Sequence, residues 1–277
     1  MSIFGAMKKG LEIAAKSLML CLVALVVLFV GYLIVGLVLG GSIMSSNFPP
    51  VTPDMSPEQV RALDWSKVNW GIFIPGAIIA FLLGFLLNSF TQGGIIASIR
   101  DHIKEGKSKV LSFFGSAVKY CLPLLLQILL IVAITVLVVI IALVIMGLVA
   151  AIKIVPIIII IDAILFLALL AFLIYVAIVL VYGQISLVVN NSGAIKSLIQ
   201  ARAFLKKNML KTVLLFLLSG LIYYVVYFAL QLLTTLTGSW PAISRILWSL
   251  ITSYIYIFAS IFMVGSFITY YLATNKE

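Results

Sequence analysis

The chain has 277 residues, 64% of them apolar and only 9% charged, with 18 Lys plus Arg against 8 Asp plus Glu. Soluble domains run near ~45–50% apolar and ~25% charged, and a chain of this length with so little polar surface cannot clothe a folded core in water. A soluble enzyme, a disordered chain and a collagen-like or disulfide-rich scaffold are excluded, which leaves a polytopic membrane protein.

The chain opens on an amphipathic segment, with Ile3, Phe4, Met7, Leu11, Ala14 and Leu18 at helical spacing and Lys8, Glu12 and Lys16 on another face. An apolar run over about 17–41 follows. It is too long for the apolar part of a secretory signal, and no small-residue cleavage site follows it, so it reads as a retained spanning helix. The connection from Ser42 to Trp70 is rich in proline; Ser56-Pro57-Glu58-Gln59 has the marks of a capping box and predicts a short helix to about Asp64 on the outer surface. The second run, 71–97, ends in Gln92-Gly93-Gly94-Ile95-Ile96-Ala97-Ser98. Next comes Arg100-Asp101-His102-Ile103-Lys104-Glu105, which holds the only histidine. Metal chemistry wants three or four ligands, and Cys21 and Cys121 lie in distant apolar segments, so this stretch reads as a solvated interfacial cluster.

A second amphipathic segment sets Val110, Phe113, Phe114, Ala117 and Cys121 against Lys109, Ser112, Ser116 and Lys119. Runs at 120–149 and 157–187 follow, joined by the short Ile152–Pro156 connection, and the second ends in Tyr182-Gly183-Gln184-Ile185-Ser186. A third amphipathic segment is expected to start at a cap on Asn191 or Ser192. It sets Ile195, Leu198, Ile199, Leu205 and Met209 against Lys196, Gln200, Lys207 and Lys211, with Arg202 and Lys206 inside the apolar arc. The last runs, 212–236 and 245–271, close with Val264-Gly265-Ser266-Phe267-Ile268-Thr269.

Each run exceeds the roughly 20 helical residues that cross a hydrocarbon core, and none alternates as a barrel strand does. The predicted fold is all-α with six transmembrane helices. Arg61, Lys67, Lys153 and Arg245 fall on one side and the other fourteen Lys and Arg on the opposite side, which places both termini in the cytoplasm by the positive-inside rule. Topology thus accounts for the basic charge, and no nucleic-acid partner is expected. Trp65, Trp70, Trp240 and Trp248 all fall in or near the outer segments, where interfacial rings belong. The recurring order of basic amphipathic helix, spanning helix, outer connection and spanning helix predicts three tandem hairpin units over 1–103, 104–191 and 192–277, within a single membrane domain.

Two sets of candidate site residues follow. Arg202, Lys206, Lys207, Lys109 and Lys119 sit on basic interfacial helices, where their stems can lie along apolar surface and their heads meet anionic lipid headgroups. Asp162 is the one acidic residue inside an apolar run; with Tyr223, Tyr227 and Tyr254 it is the candidate for a solute pathway. Asp162 is near enough to the start of its run to pair instead with Lys153 or Arg245. Deeper polar groups, among them Asn88, Gln127, Ser219, Tyr224, Tyr227 and Gln231, are expected to face other helices.

Gly93-Gly94-Ile95-Ile96-Ala97-Ser98-Ile99-Arg100 leading to Lys109-Val110-Leu111-Ser112-Phe113-Phe114, with Ala194-Ile195-Lys196-Ser197-Leu198 leading to Phe204-Leu205-Lys206-Lys207-Asn208, resembles the six-helix membrane domain attached to some bacterial glycerophosphodiester phosphodiesterases and related stand-alone prokaryotic membrane proteins of unknown function. The resemblance implies the membrane domain alone. The phosphodiesterase barrel with its acidic metal ligands and histidines is not in the chain, so neither that activity nor any functional residue carries over. The expectation is a multi-pass protein of an inner or plasma membrane, non-enzymatic and without cofactor or metal. It acts through contact with anionic lipids or as the membrane subunit of a larger assembly with other membrane proteins; the rival is a transporter or channel for a small solute, ion or lipid.

Overall fold

The computed structural model describes residues 1–47, 49, 55–61, 64–106, 110–150, 155–237 and 241–275, and every regular element among them is helical. The elements are α1 (Ile3–Lys16), α2 (Leu18–Ser45), α3 (Pro57–Arg61), a 3₁₀ turn (Trp65–Lys67), α4 (Trp70–Glu105), α5 (Val110–Ala150), α6 (Val155–Val189), α7 (Ala194–Leu236) and α8 (Ala242–Thr274). Six of these helices, α2 and α4 to α8, are long and apolar enough to cross a membrane. The chain is an all-α, multi-pass integral membrane protein, in which each spanning segment satisfies its own backbone, as hydrocarbon demands.

The spanning helices are longer than the apolar runs because the amphipathic segments join them. Only the first remains a separate helix: Ser2 caps α1 by accepting from Gly5 N–H at 3.1 Å, and Ser17 breaks the chain from α2 with φ −108° and ψ 31°. The second runs straight into α5, with Pro123 inside it. The third continues through α7 past non-helical backbone at Asn208 (φ −128°, ψ 25°). The capping box is followed by the expected short helix, described from Pro57 to Arg61, and positions 62 and 63 lie outside the described residues. Beyond it the Asp64 carboxylate accepts from the Ser66 hydroxyl and pairs with Lys67 at 3.0 Å. Those contacts, Ser66 first, hold the Asp64 carboxyl below its usual range.

The amphipathic segments present two apolar faces where one was expected. In α1 the small residues Ala6, Gly10 and Ala14 are buried with Ile13, while Phe4 and Leu11 are exposed. In α5 Phe113, Ala117, Tyr120 and Leu124 are buried, while Phe114 and Val118 are exposed. The N-terminal half of α7 buries Ser197, Ala201, Phe204 and Leu205 and exposes Ile195, Ile199 and Met209. One face packs on protein and the second is left for acyl chains, the habit of a helix lying at the edge of a bilayer.

The packing faces meet the inner ends of α4, α6 and α8, "inner" meaning the end that carries the basic segments, and they do so in rotation. A Cβ on Gly93 of α4 would lie 3.3 Å from Leu124 and Tyr120 of α5. One on Gly183 of α6 would lie 2.6 Å from Gln127 Nε2 and 2.9 Å from Leu198 of α7. Gly265 of α8 lies against Gly10 and Ile13 of α1. Each unit therefore hands the end of its second spanning helix to the amphipathic segment of the next, and the third unit closes on the first. Small residues at such contacts allow the close backbone approach through which helices associate in lipid. At this end lie the largest fully buried side chains, including Tyr182, Phe113, Phe267, Tyr270 and Tyr271. Beyond it the helices diverge, and long apolar side chains such as Leu137, Phe166 and Leu232 are exposed toward the bilayer.

Polar ties follow the same rotation. Arg100, seven residues past Gly93, donates to Asp101 at 2.9 Å, to the Val188 carbonyl at the end of α6 at 2.9 Å, and to the Tyr120 hydroxyl of α5 at 3.5 Å. Tyr120 in turn donates to Asn191 Oδ1 at 3.1 Å. Arg100 and Asp101 are thus mostly buried, not the solvated cluster expected, because three helix ends converge on them. Asn190, seven residues past Gly183, plays the corresponding part between α7 and α8; at the matching place in the third unit stands the apolar Leu272.

Candidate functional site at the inner face

The turn from α6 into α7 builds one wall of a polar cavity. Neither Asn191 nor Ser192 caps α7: the helix starts at Ala194 behind Gly193, which makes no side-chain cap bond. Asn191 instead takes a left-handed conformation (φ 50°), and Ser192 N–H reaches back to the Leu187 carbonyl at 3.1 Å, a Schellman closure of α6. The closure turns the Asn190 amide inward, where it donates to Ser186 Oγ at 3.1 Å, to Tyr271 Oη of α8 at 3.0 Å and to Gln200 Oε1 at 3.3 Å. Gln200 Oε1 accepts also from Ser186 Oγ at 2.6 Å.

This network walls a cavity of about 530 Å³ lined further by Phe204, Lys207, Asn208 and Asn275. Ser186 and Tyr271 are buried, so the network is held by the core. With the Asn190 amide spent on its three acceptors and Asn208 Nδ2 donating to the Phe204 carbonyl, the lining still offers the Lys207 ammonium, the Tyr271 hydroxyl and the amides of Gln200 and Asn275, and no carboxylate among the described residues. Such a donor set suits an anion.

Next to it, α7 carries Arg202 and Lys206 on the stripe of Ile195, Ile199 and Met209, all exposed. The two cations therefore project among lipid-facing side chains, one helical turn apart, while Lys207 turns to the cavity. Lys119 is elsewhere, on α5, with its ammonium 5.1 Å from the Tyr120 ring centroid. Lys109 lies outside the described residues. The five basic candidates hence divide into an adjacent trio on α7, one separate lysine and one undescribed.

Of the second set, Tyr223 and Tyr227 lie one turn apart on α7 beside Tyr256, and no contact joins Tyr254 or Asp162 to them among the described residues. Tyr254 donates to the Leu18 carbonyl at the start of α2 at 3.4 Å, and Tyr227 packs on Tyr256 with ring centroids 5.6 Å apart. Tyr223 is half-buried on α7, and Asp162 is half-buried far along the chain on α6. Asp162 forms no ion pair with Arg245, Lys153 lies outside the described residues, and the buried Asp162 Oδ1 has no hydrogen-bond partner among the described residues. Gln127 and Ser219 are buried as expected, and Gln127 donates to Ser197 of α7 at 3.0 Å. Asn88, Tyr224, Tyr227 and Gln231 are instead exposed, because only the inner end of the bundle is tightly packed. His102 lines a small cavity with Lys9, Glu12 and Lys16, and no group of three His, Cys, Asp or Glu that could hold a metal occurs among the described residues.

Arg100, Asn190, Tyr271 and Arg245 gain places from the structure that their spacing alone did not assign. A usable signal did exist for the first two, their common offset of seven residues from Gly93 and Gly183. No protein family, curated protein or solved structure matches the chain. The likeness to phosphodiesterase-linked membrane domains rests on the quoted segments alone.

Proposed function

We propose that the chain is a non-enzymatic protein of an inner or plasma membrane, with both termini cytoplasmic, that holds anionic phospholipid headgroups at its inner face and presents them, or itself, to other membrane proteins. The observation that carries this reading is the polar cavity at Lys207, with no carboxylate among its described lining residues, beside Arg202 and Lys206 on an exposed apolar stripe. In this reading a headgroup phosphate enters the cavity that Lys207, Gln200 and Asn275 help to line, and the two exposed cations beside it lay their stems along the acyl chains. Each basic residue near an anionic surface contributes about 1 kcal/mol. The triple variant Arg202→Ala, Lys206→Ala, Lys207→Ala is therefore expected to retain anionic lipid roughly a hundredfold less well, with Lys119→Ala close to the parent. Native mass spectrometry of protein released from mixed anionic and zwitterionic bilayers reads the difference; equal retention by parent and triple variant would refute the site.

One observation favours transport: the buried Oδ1 of Asp162, in a spanning helix, has no hydrogen-bond partner among the described residues. Our reading expects proteoliposomes to pass ions and small solutes no faster than protein-free vesicles. Flux that Asp162→Asn abolishes would put the pathway reading in its place.

A further inference from the structure

We propose that the opposite half of the bundle carries a second lipid site, a groove between α2 and α8 that holds an acyl chain of an outer-leaflet phospholipid with its anionic headgroup on Arg245. It is independent of the inner-face site, since it shares neither residues nor membrane face with it.

The groove follows from how the two helices are anchored. At the inner end α2 and α8 touch, with Cys21, Ala24, Ile257 and Ile261 buried in one core. Farther out, α2 is drawn to α4, where Gly31 packs under Leu87 and Ser42 against Gly76. Over the same depth α8 is held by α7, through Trp248 Nε1 donating to Thr234 Oγ1 at 3.0 Å and through the Tyr227–Tyr256 ring contact. Pulled to opposite neighbours, the two helices leave a wedge of about 890 Å³ between them.

Its dimensions and chemistry select the occupant. The walls are side chains such as Leu25, Leu28, Leu33, Ile246, Leu250 and Ile257. The Ser253 hydroxyl in the wall is spent on the Ser249 carbonyl of its own helix at 2.8 Å. The wall is hydrocarbon for most of its length and opens sideways onto the bilayer, so an acyl chain fills it without leaving the hydrophobic phase. From Arg245 to Ile257 the helix rises about 18 Å at ~1.5 Å per residue, close to the roughly 15 Å that one leaflet contributes to a ~30 Å hydrocarbon core. Arg245 stands at the outer end of this track. Lys67 is neutralised by Asp64, whereas Arg245 is exposed and has no carboxylate partner among the described residues. A guanidinium presents paired N–H donors that match a phosphate. The charge complement and the depth together specify an anionic glycerophospholipid, one chain in the groove and its phosphate on Arg245.

The full-length protein is reconstituted in bilayers of equal parts phosphatidylglycerol and phosphatidylcholine, released gently, and its bound lipids are counted by native mass spectrometry. Arg245→Gln is expected to lower the ratio of retained phosphatidylglycerol to phosphatidylcholine about fivefold at one lipid position, with Arg245→Lys in between. Leu250→Trp, which puts an indole into the wedge where the acyl chain would lie, is expected to weaken retention of that lipid whatever its headgroup. The inner-face variants Arg202→Ala and Lys206→Ala should leave this lipid in place, which separates failure of one site from failure of the other. Arg245 is exposed, so its replacement leaves the packing intact. An Arg245→Gln protein with the parent's lipid number and headgroup ratio overturns the proposal, even if Leu250→Trp sheds lipid, because the groove would then hold bulk lipid without selection.

Discussion

Gly10→Ala is expected to open the ring of helix ends and to lower stability by about 1–3 kcal/mol, toward the upper end of the usual cost of overpacking. The added methyl would sit 2.7 Å from both the Phe262 carbonyl oxygen and the Ser266 amide nitrogen of α8. A side-chain neighbour can rotate aside; these are backbone atoms, so α1 must lift away as a body. The loss should appear as faster hydrogen exchange confined first to α1, with a lower unfolding temperature in detergent. Gly36 supplies the control, for an alanine there meets nothing within 4 Å. Gly36→Ala should be neutral or stabilising by up to ~1 kcal/mol through helix propensity. If both variants melt together with the parent, the contact of α1 with α8 does not bear on stability.

Arg100→Met is the other large effect. Arg100 and Asp101 keep side-chain exposures of only 18% and 22%, and the guanidinium serves Asp101, the Val188 carbonyl and Tyr120 at once. Removing it strands a carboxylate and the carbonyl end of α6. Losing one partner of a fully buried pair costs about 3–5 kcal/mol; with a fifth of each side chain still exposed, about 2–4 kcal/mol is expected. Arg100→Lys should recover only part, because an ammonium lacks the planar fork that reaches three acceptors. Asp101→Asn in the Arg100→Met background should restore part of the loss by removing the stranded charge. Chemical denaturation of the parent, Arg100→Met, Asp101→Asn and the double variant in one detergent measures the cycle, and additive single effects would mean that the pair is not coupled.

The spanning helices were legible because hydrophobic length is a one-dimensional signal that backbone desolvation enforces. The sequence spaces glycines 93, 183 and 265 at 90 and 82 residues but does not announce a closed ring of helix ends, since closure depends on which residue faces Gly265, and that is Gly10, 255 positions away. The double-faced character of the amphipathic segments was missed for a related reason. Periodicity places Phe4 and Ala14 on one arc, and only packing shows that the small residue goes to protein and the large one to lipid. Among the basic residues, position on α7 was correct for Arg202 and Lys206. The polar wall beside Lys207, however, is assembled from α6, α7 and α8, and no local spacing announces it. Arg100 was misjudged because a charge at a helix end is ordinarily solvated, and the convergence that buries it is tertiary.

The contact between the first helix and the last has a consequence for how the protein is made. Gly10 leaves the ribosome about 250 residues ahead of Phe262, which at ~5–20 residues per second is roughly 10–50 s of synthesis. Throughout that interval the small-residue face of α1, Ala6, Gly10 and Ala14, is without the α8 surface that buries it in the finished fold. The units that precede α8 can pair in order as they are inserted; the seam between the two ends of the chain is the last to form. A nascent chain that stops before α8 keeps that seam open, so an unfinished protein carries the mark of its incompleteness on the uncovered face of α1.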